Sequence, residues 1–126
     1  MDDQDQGQSM PVLPGISHWI VRDGAMVEVG LLEWATWIET EWAKVGAHEP
    51  NDIVVASTFI DDVRVSTVFL VLEALGLMGG PPPACPWETM IFGGPYDEHG
   101  WRYTSRLAAV AGHDQVVAAL RAGEAP

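Results

Sequence analysis

Only two residues, Asp61 and Asp62, separate two long runs of β-forming residues, and this short link constrains the fold more than any other feature. The runs at residues 52–60 and 63–72 are rich in valine, isoleucine, threonine and phenylalanine, which favour strands. Strands joined by so short a link pair in antiparallel. From Val68 onward the second run is apolar on both faces, which predicts a central strand covered on both sides.

A second hairpin is predicted nearer the N-terminus, where residues 18–22 and 26–29 flank the dipeptide Asp23-Gly24. That dipeptide favours a type I′ turn, because both central residues of such a turn need a positive φ. Two more strands are predicted later in the chain, at residues 87–92 and 101–103.

Two helices complete the pattern. The first begins after Gly30 and ends at Gly46, and its apolar residues recur at helical spacing to form one stripe of Leu31, Ala35, Ile38, Trp42 and Val45. The second is capped by Thr104 or Ser105 and ends near Arg121. Gly112 inside this second helix costs about 1 kcal/mol relative to alanine, which indicates a close approach of helix and sheet.

The predicted order is β-β-α-β-β-β-β-α, an α+β fold with a mainly antiparallel sheet of about five to six strands and two helices. Residues 18–126 are predicted to form a single domain, which suits a chain of 126 residues. Residues 1–17 are polar and broken by proline and glycine, so we expect a disordered lead-in.

Acidic residues outnumber basic residues eighteen to six, which gives a net charge of −12. This balance argues against direct binding of nucleic acid and against docking on an anionic membrane. Cys85 is the single cysteine, so no disulfide forms within the chain, as is usual in a reducing compartment. The acidic N-terminus is unlike a signal peptide, and no apolar run is long enough to span a bilayer. We therefore expect a cytoplasmic protein.

Several strings in the second half of the chain form a specific pattern. They are the segments at residues 65–70 (VSTVFL), 80–82 (GPP), 88–95 (ETMIFGGP), 102–103 (RY) and 112–113 (GH). The pattern resembles a widespread family of small uncharacterised phage, prophage and actinobacterial proteins. The resemblance implies a phage or mobile-element origin and implies no established activity. Where the family has Gly-Leu-Asp-His after the first string, this chain has Val71-Leu72-Glu73-Ala74, so a histidine and an aspartate are lacking.

The sequence favours a protein that is not an enzyme. The four histidines have no metal-ligand spacing, and Cys85 has no cationic neighbour to activate its thiol. We therefore predict no metal site, no cofactor and no catalytic residue. One alternative is a small carboxylate-dependent hydrolase built on Glu73 and Glu88. The competing interpretation is that Glu88 pairs with Arg102 on an adjacent strand.

A pocket for a small nucleotide-type signalling ligand is a second hypothesis. Half of the basic residues are three arginines, and glycines and aromatic residues nearby supply close backbone approach and stacking surfaces. The predicted ligand-binding residues are Arg64, Arg102, Arg106, Tyr103, Trp101, Gly93 and Gly94. The competing interpretation is that these arginines form ordinary surface ion pairs with the excess carboxylates.

The favoured hypothesis is a phage-type accessory protein that binds a host protein in the host cytoplasm. Six tryptophans are more than the core of a chain this short needs, and Trp37 lies off the predicted helical stripe next to Glu41. Aromatic residues flanked by carboxylates suit a partner with a basic rim. Trp34, Trp37 and Glu41 are thus the predicted partner-binding residues, with a second copy of the same chain as the alternative partner.

Overall fold

The computed structural model describes residues 18–49, 51–71 and 84–126, and in this part of the chain it confirms the α+β fold and the predicted order of elements. The described residues include six strands in two antiparallel sheets and two helices of sixteen residues each. The elements are β1 (His18–Arg22), β2 (Ala25–Val29), α1 (Leu31–Gly46), β3 (Val54–Ile60), β4 (Val63–Phe69), β5 (Trp87–Phe92), β6 (Gly100–Tyr103) and α2 (Arg106–Arg121). The predicted lead-in at residues 1–17 lies outside the described residues, as does Glu73.

Strands β1 and β2 form a hairpin that stands apart as a two-stranded sheet. Asp23 and Gly24 connect them with φ values of 54° and 80°, so the predicted turn with two positive φ angles is confirmed. An ion pair between Arg22 and Glu33 ties this hairpin to α1.

The larger sheet has the order β3-β4-β5-β6, and every neighbouring pair is antiparallel. Ile60 pairs with Val63 across the two-residue link, as predicted from the sequence. Strand β4 ends at Phe69 and Val71 is already helical, so the prediction of a strand reaching residue 72 is wrong. The β-branched content of the run indicated a strand but carried no signal for the change to helix.

Helix α2 packs across all four strands of the larger sheet. The Ser105 hydroxyl accepts a hydrogen bond from the Ala108 N–H at 3.0 Å, which confirms the predicted cap. A Cβ at Gly112 would overlap the ring and hydroxyl of Tyr103, so the predicted close approach of helix and sheet is also confirmed. On this face the core contains Val65, Ile91, Val116 and Val117.

The opposite face of the sheet is only partly covered. Phe59 and Phe92 remain 68% and 40% exposed, and they flank Arg64 on the central strand. The prediction of a central strand covered on both faces rested on the apolar run from Val68, where Val68 is half-buried and Phe69 is buried, so the exposed aromatic residues lie outside that run.

Helix α1 is rotated by about a quarter turn from the orientation in which its predicted apolar stripe would be buried. This angle follows from the positions of the buried residues on a helix with 3.6 residues per turn. Leu31 and Trp42, from the predicted buried stripe, are 45% and 60% exposed, whereas Glu41 is 5% exposed. The physical reason is the size of the tryptophans on the other face. Trp34 lies 6.0 Å from the His18 ring, and Trp37 lies edge-on to Phe69 at 6.0 Å between ring centroids.

Candidate functional site

The outward side of α1 is an apolar surface in solvent. Leu31, Leu32 and Trp42 are all exposed large side chains, and the small side chain of Ala35 lies between the first and the last of them. Residues 31, 35 and 42 share one face of the helix because they are four and seven positions apart. We call this set, together with Leu32, the α1 outer face.

Next to the α1 outer face is an apolar groove of about 460 Å³. The eight described residues that line it are all apolar. Trp42 and Val45 come from α1, Ile53 and Val54 lie at the entry to β3, and the others lie at the end of β4 or follow it. Since Trp42 belongs to both, the groove and the α1 outer face form one continuous surface, here called the Trp42 surface. Contiguous exposed apolar surface of this kind marks interaction sites in soluble proteins.

The surroundings of the Trp42 surface are acidic. Glu39 and Glu49 are exposed nearby in the chain, and Lys44 is the single basic residue of α1. The Lys44 ammonium donates a hydrogen bond to Glu41 Oε2 at 2.9 Å. This bond raises the pKa of Lys44 and neutralises its charge locally. Near the Trp42 surface in the chain, the exposed carboxylates therefore outnumber the one ammonium group, which is already paired.

Glu41 has a structural role. Its Oε1 atom accepts a hydrogen bond from the backbone N–H of Asp52 at 2.7 Å, and its Oε2 atom accepts the bond from Lys44. Burial, followed by the repulsion of the Glu41 charge, raises the pKa of Asp52. These contacts clasp the end of α1 to the segment that enters β3.

The structure places the predicted partner-binding residues Trp34, Trp37 and Glu41 on the inward side of α1, so their placement does not support a partner-binding role. Glu41 is buried, and both tryptophans are partly buried against aromatic neighbours. Trp34 and Trp37 are close to the exposed residues in the sequence, but the quarter-turn rotation of α1 directs them toward His18 and Phe69.

The predicted ligand-binding arginines do not meet in one pocket. Arg64 lies 4.6 Å over the Phe92 ring, and Arg102 Nε donates to Glu88 Oε2 at 3.2 Å. The pairing of Glu88 with Arg102 was the competing interpretation for both residues, and it is confirmed. On β5 the partners of Arg64 and Arg102 are four residues apart, or about 13 Å.

Arg106 lies away from both. It begins α2, on the other face of the sheet, and its side chain is close to Gly24 in the β1–β2 turn. The three arginines thus occupy separate places on the molecule.

The glycines and aromatic residues of the predicted pocket also make contacts in other parts of the structure. Trp101 packs on the core beneath α2, and Tyr103 lies against Gly112. Gly93 and Gly94 have positive φ values of 95° and 73°, but the Gly93 N–H already donates to Asp97 Oδ1 at 2.6 Å.

A cavity of about 330 Å³ does lie beside Gly93. Asp61, Asp62 and Glu124 contribute to its lining, so its electrostatic character disfavours an anion.

A buried polar network under α2 was missed by the sequence analysis. His113 is 3% exposed, and its two ring nitrogens lie 2.8 Å from Thr67 Oγ1 and from Thr58 Oγ1. Thr67 Oγ1 is also 2.5 Å from Thr89 Oγ1. The signal was a threonine in each of three neighbouring strands, and their alignment depends on the strand register. Burial lowers the pKa of His113 and keeps its ring neutral.

Other kinds of site find no support in the described residues. Residues 18–49, 51–71 and 84–126 contain no cluster of three or more side chains that suits a metal ion. In the same ranges, no helix combines the length and hydropathy needed to cross a bilayer. Glu73 lies outside these ranges, so the predicted carboxylate pair with Glu88 stays a prediction.

Comparison of the chain with protein-family models, with curated proteins and with solved structures finds no match in any of the three. The resemblance to the phage-type family therefore stays a prediction that rests on the sequence strings alone.

Proposed function

We propose that this protein works by holding another protein, and that the Trp42 surface is where it does so. In this proposal it is a phage-type accessory protein that binds a host protein in the host cytosol, without catalysing a reaction. The observation that carries the proposal is Trp42 itself, a tryptophan 60% exposed at the centre of continuous apolar surface. Tryptophan is among the residues most enriched at the energetic centres of protein interfaces.

The chemistry of the partner follows from the charge. The Trp42 surface is apolar, its neighbours Glu39 and Glu49 are acidic, and the whole chain carries a net charge of −12. A partner that matches it has an apolar patch rimmed by lysine and arginine. Such complementarity speeds association and excludes acidic competitors.

The proposed setting comes from the sequence. The strings at residues 65–70 and 88–95 resemble the phage-type family, and a single cysteine suits a reducing compartment. A small nucleotide-like ligand is the less supported alternative, because Arg64, Arg102 and Arg106 lie apart.

The test compares Trp42→Ala with Leu107→Ala in a tagged protein used to capture partners from bacterial lysate. Leu107 is the matched control because it is an exposed leucine, 81% exposed, on α2. The captured protein is identified, purified and titrated against each variant. We expect a loss of affinity of about 30-fold or more for Trp42→Ala, as for a central interface tryptophan, and little change for Leu107→Ala.

Equal affinity of the two variants would contradict the proposal. Sedimentation of the purified protein alone tests the alternative partner, because a concentration-dependent dimer abolished by Trp42→Ala would assign the surface to a second copy. Raising the salt concentration is expected to weaken the complex, since its rim pairs are screened.

A further inference from the structure

Strand β3 lies at an edge of the larger sheet. Within the described residues it pairs with β4 on one side and with no strand on the other. The opposite edge is formed by β6, which is only four residues long. With seven residues, β3 is the longer of the two edges.

The register identifies which backbone groups point outward. Ile60 and Val63 close the two-residue hairpin and form a hydrogen-bonded pair, and such pairs alternate with non-hydrogen-bonded pairs along an antiparallel ladder. The pairs Phe59–Arg64 and Ser57–Ser66 are therefore of the second kind. The N–H and C=O groups of Ser57 and Phe59 point away from β4, and both residues are exposed.

The sequence of β3 lacks the usual protection of an edge strand. Residues 54–60 contain no charged side chain and no proline, the two devices that most often block pairing with another chain. An irregularity in the pairing with β4 lies between Val54 and Ala56 and disturbs the first end of the strand. The regular, unprotected stretch is therefore residues 56–60.

Carboxylates lie at both ends of this strand. Glu49 and Asp52 precede it, and Asp61 and Asp62 follow it. If two copies paired through β3 about a twofold axis at Ser57, Asp62 of one copy would lie opposite Asp52 of the other. Like charges directly opposite each other destabilise a strand pair, so these ends oppose pairing with a second copy.

We infer that the β3 edge accepts an extended segment of a partner protein as an additional strand. The segment has β-forming residues in its middle and lysine or arginine at both ends, which complements the four carboxylates. Backbone hydrogen bonds to Ser57 and Phe59 supply the attraction, and the charged ends set the position. This inference deepens the proposed function by naming how the partner is held, and it rests on that function only in requiring a protein partner.

The experiment uses a fluorescent nine-residue peptide of alternating threonine and valine with two lysines at each end. Its binding to the wild-type chain is compared with binding to Ser57→Pro and Ser57→Thr. Proline removes the outward N–H without breaking the β4 ladder, and threonine keeps that N–H. We expect a loss of about tenfold or more for Ser57→Pro, because it removes one backbone hydrogen bond and obstructs its neighbours, and less than about twofold for Ser57→Thr.

Two further measurements make the result independent of how well Ser57→Pro folds. In the wild-type chain, the peptide is expected to slow hydrogen exchange of the Ser57 and Phe59 amides. A peptide ending in glutamates is expected to bind more weakly than the peptide ending in lysines. Equal binding of the two peptides, or unchanged exchange at both amides, would overturn the inference.

Trp42→Ala separates this inference from the proposed function. Peptide binding is expected to survive that substitution, because the outward groups of Ser57 and Phe59 are unaltered. If Trp42→Ala abolishes capture of the partner while the peptide fails to bind the wild-type chain, the proposed function is supported and the inference of strand addition at the β3 edge is contradicted.

Discussion

The two helices have the same length and opposite relations to the rest of the molecule. Helix α2 lies across four strands and buries a histidine beneath it, whereas α1 buries a glutamate and leaves a tryptophan in solvent. This difference indicates that an apolar stripe on a helix is buried only where a complementary surface is available. On α1 the hairpin and Phe69 accept the face with Trp34 and Trp37, and the stripe with Trp42 is left over for another molecule.

The largest test of this comparison is between two tryptophans of α1. We expect Trp37→Ala to lower the free energy of unfolding by about 3 kcal/mol, because it empties the contact with Phe69. Trp42→Ala is expected to lower it by about 1 kcal/mol or less, because that side chain is mainly in solvent. Urea denaturation of both variants is the measurement, and equal losses would remove the distinction between the two faces.

The next largest effect concerns the polar network beneath α2. Thr67→Val removes the hydroxyl between His113 and Thr89, and we expect a loss of about 2–3 kcal/mol because both partners remain buried. Thr36→Val on α1 is the matched control, and its exposed hydroxyl bonds only to the Leu32 carbonyl. A loss in the control as large as in Thr67→Val would mean that burial of the network is unimportant.

Glycine substitutions are expected to have opposite signs in the two helices. Gly112→Ala should destabilise the protein by about 2 kcal/mol, because its Cβ is forced against Tyr103. Gly46→Ala should stabilise it by about 0.5–1 kcal/mol, because no atom lies within 4 Å of the new Cβ and alanine is the better helix former. Thermal denaturation of the two variants measures these changes, and shifts of the melting temperature with the same sign would contradict the prediction.

The smallest expected effect is a dependence of stability on pH. Burial lowers the pKa of His113 below its ordinary value of 6.5, so the unfolded chain takes up a proton at higher pH than the folded chain. The stabilising contribution is therefore complete above pH 6.5 and is lost as the pH falls from there towards the folded pKa. Denaturation at pH 7.5 and 5.5 measures it, and His113→Gln is expected to flatten the profile. An unchanged profile in that variant would assign the effect to other groups.

Local chemistry made much of the fold predictable. Asp23-Gly24 determines a turn through the φ angles it allows, Ser105 caps a helix through its hydroxyl, and Gly112 marks a close contact through its missing side chain. Each of these effects depends on a property of the residue itself, so it can be read without knowing which distant residues are in contact. The two-residue links β1–β2 and β3–β4 require antiparallel pairing, whereas the long segment between β4 and β5 carried no such constraint.

The site was less predictable because it depends on relations between distant residues. The stripe through Trp42 is the more regular pattern, yet Trp34 and Trp37 determine which face of α1 turns inward, through contacts with His18 and Phe69. The three arginines are near aromatic residues in the sequence, but alternate residues of a strand point to opposite faces. That alternation separates Arg64 and Arg102 from Trp101 and Tyr103.

The clasp formed by Glu41 has a consequence for a partner that reaches both surfaces. Because Glu41 bonds to Asp52 at the entry to β3, the Trp42 surface and the β3 edge are held at one spacing. Two weak contacts at a fixed spacing give bivalent binding, in which the first contact raises the effective concentration for the second. Glu41→Ala removes the acceptor of the Asp52 N–H, so it is expected to loosen the clasp and reduce avidity while leaving each separate contact intact.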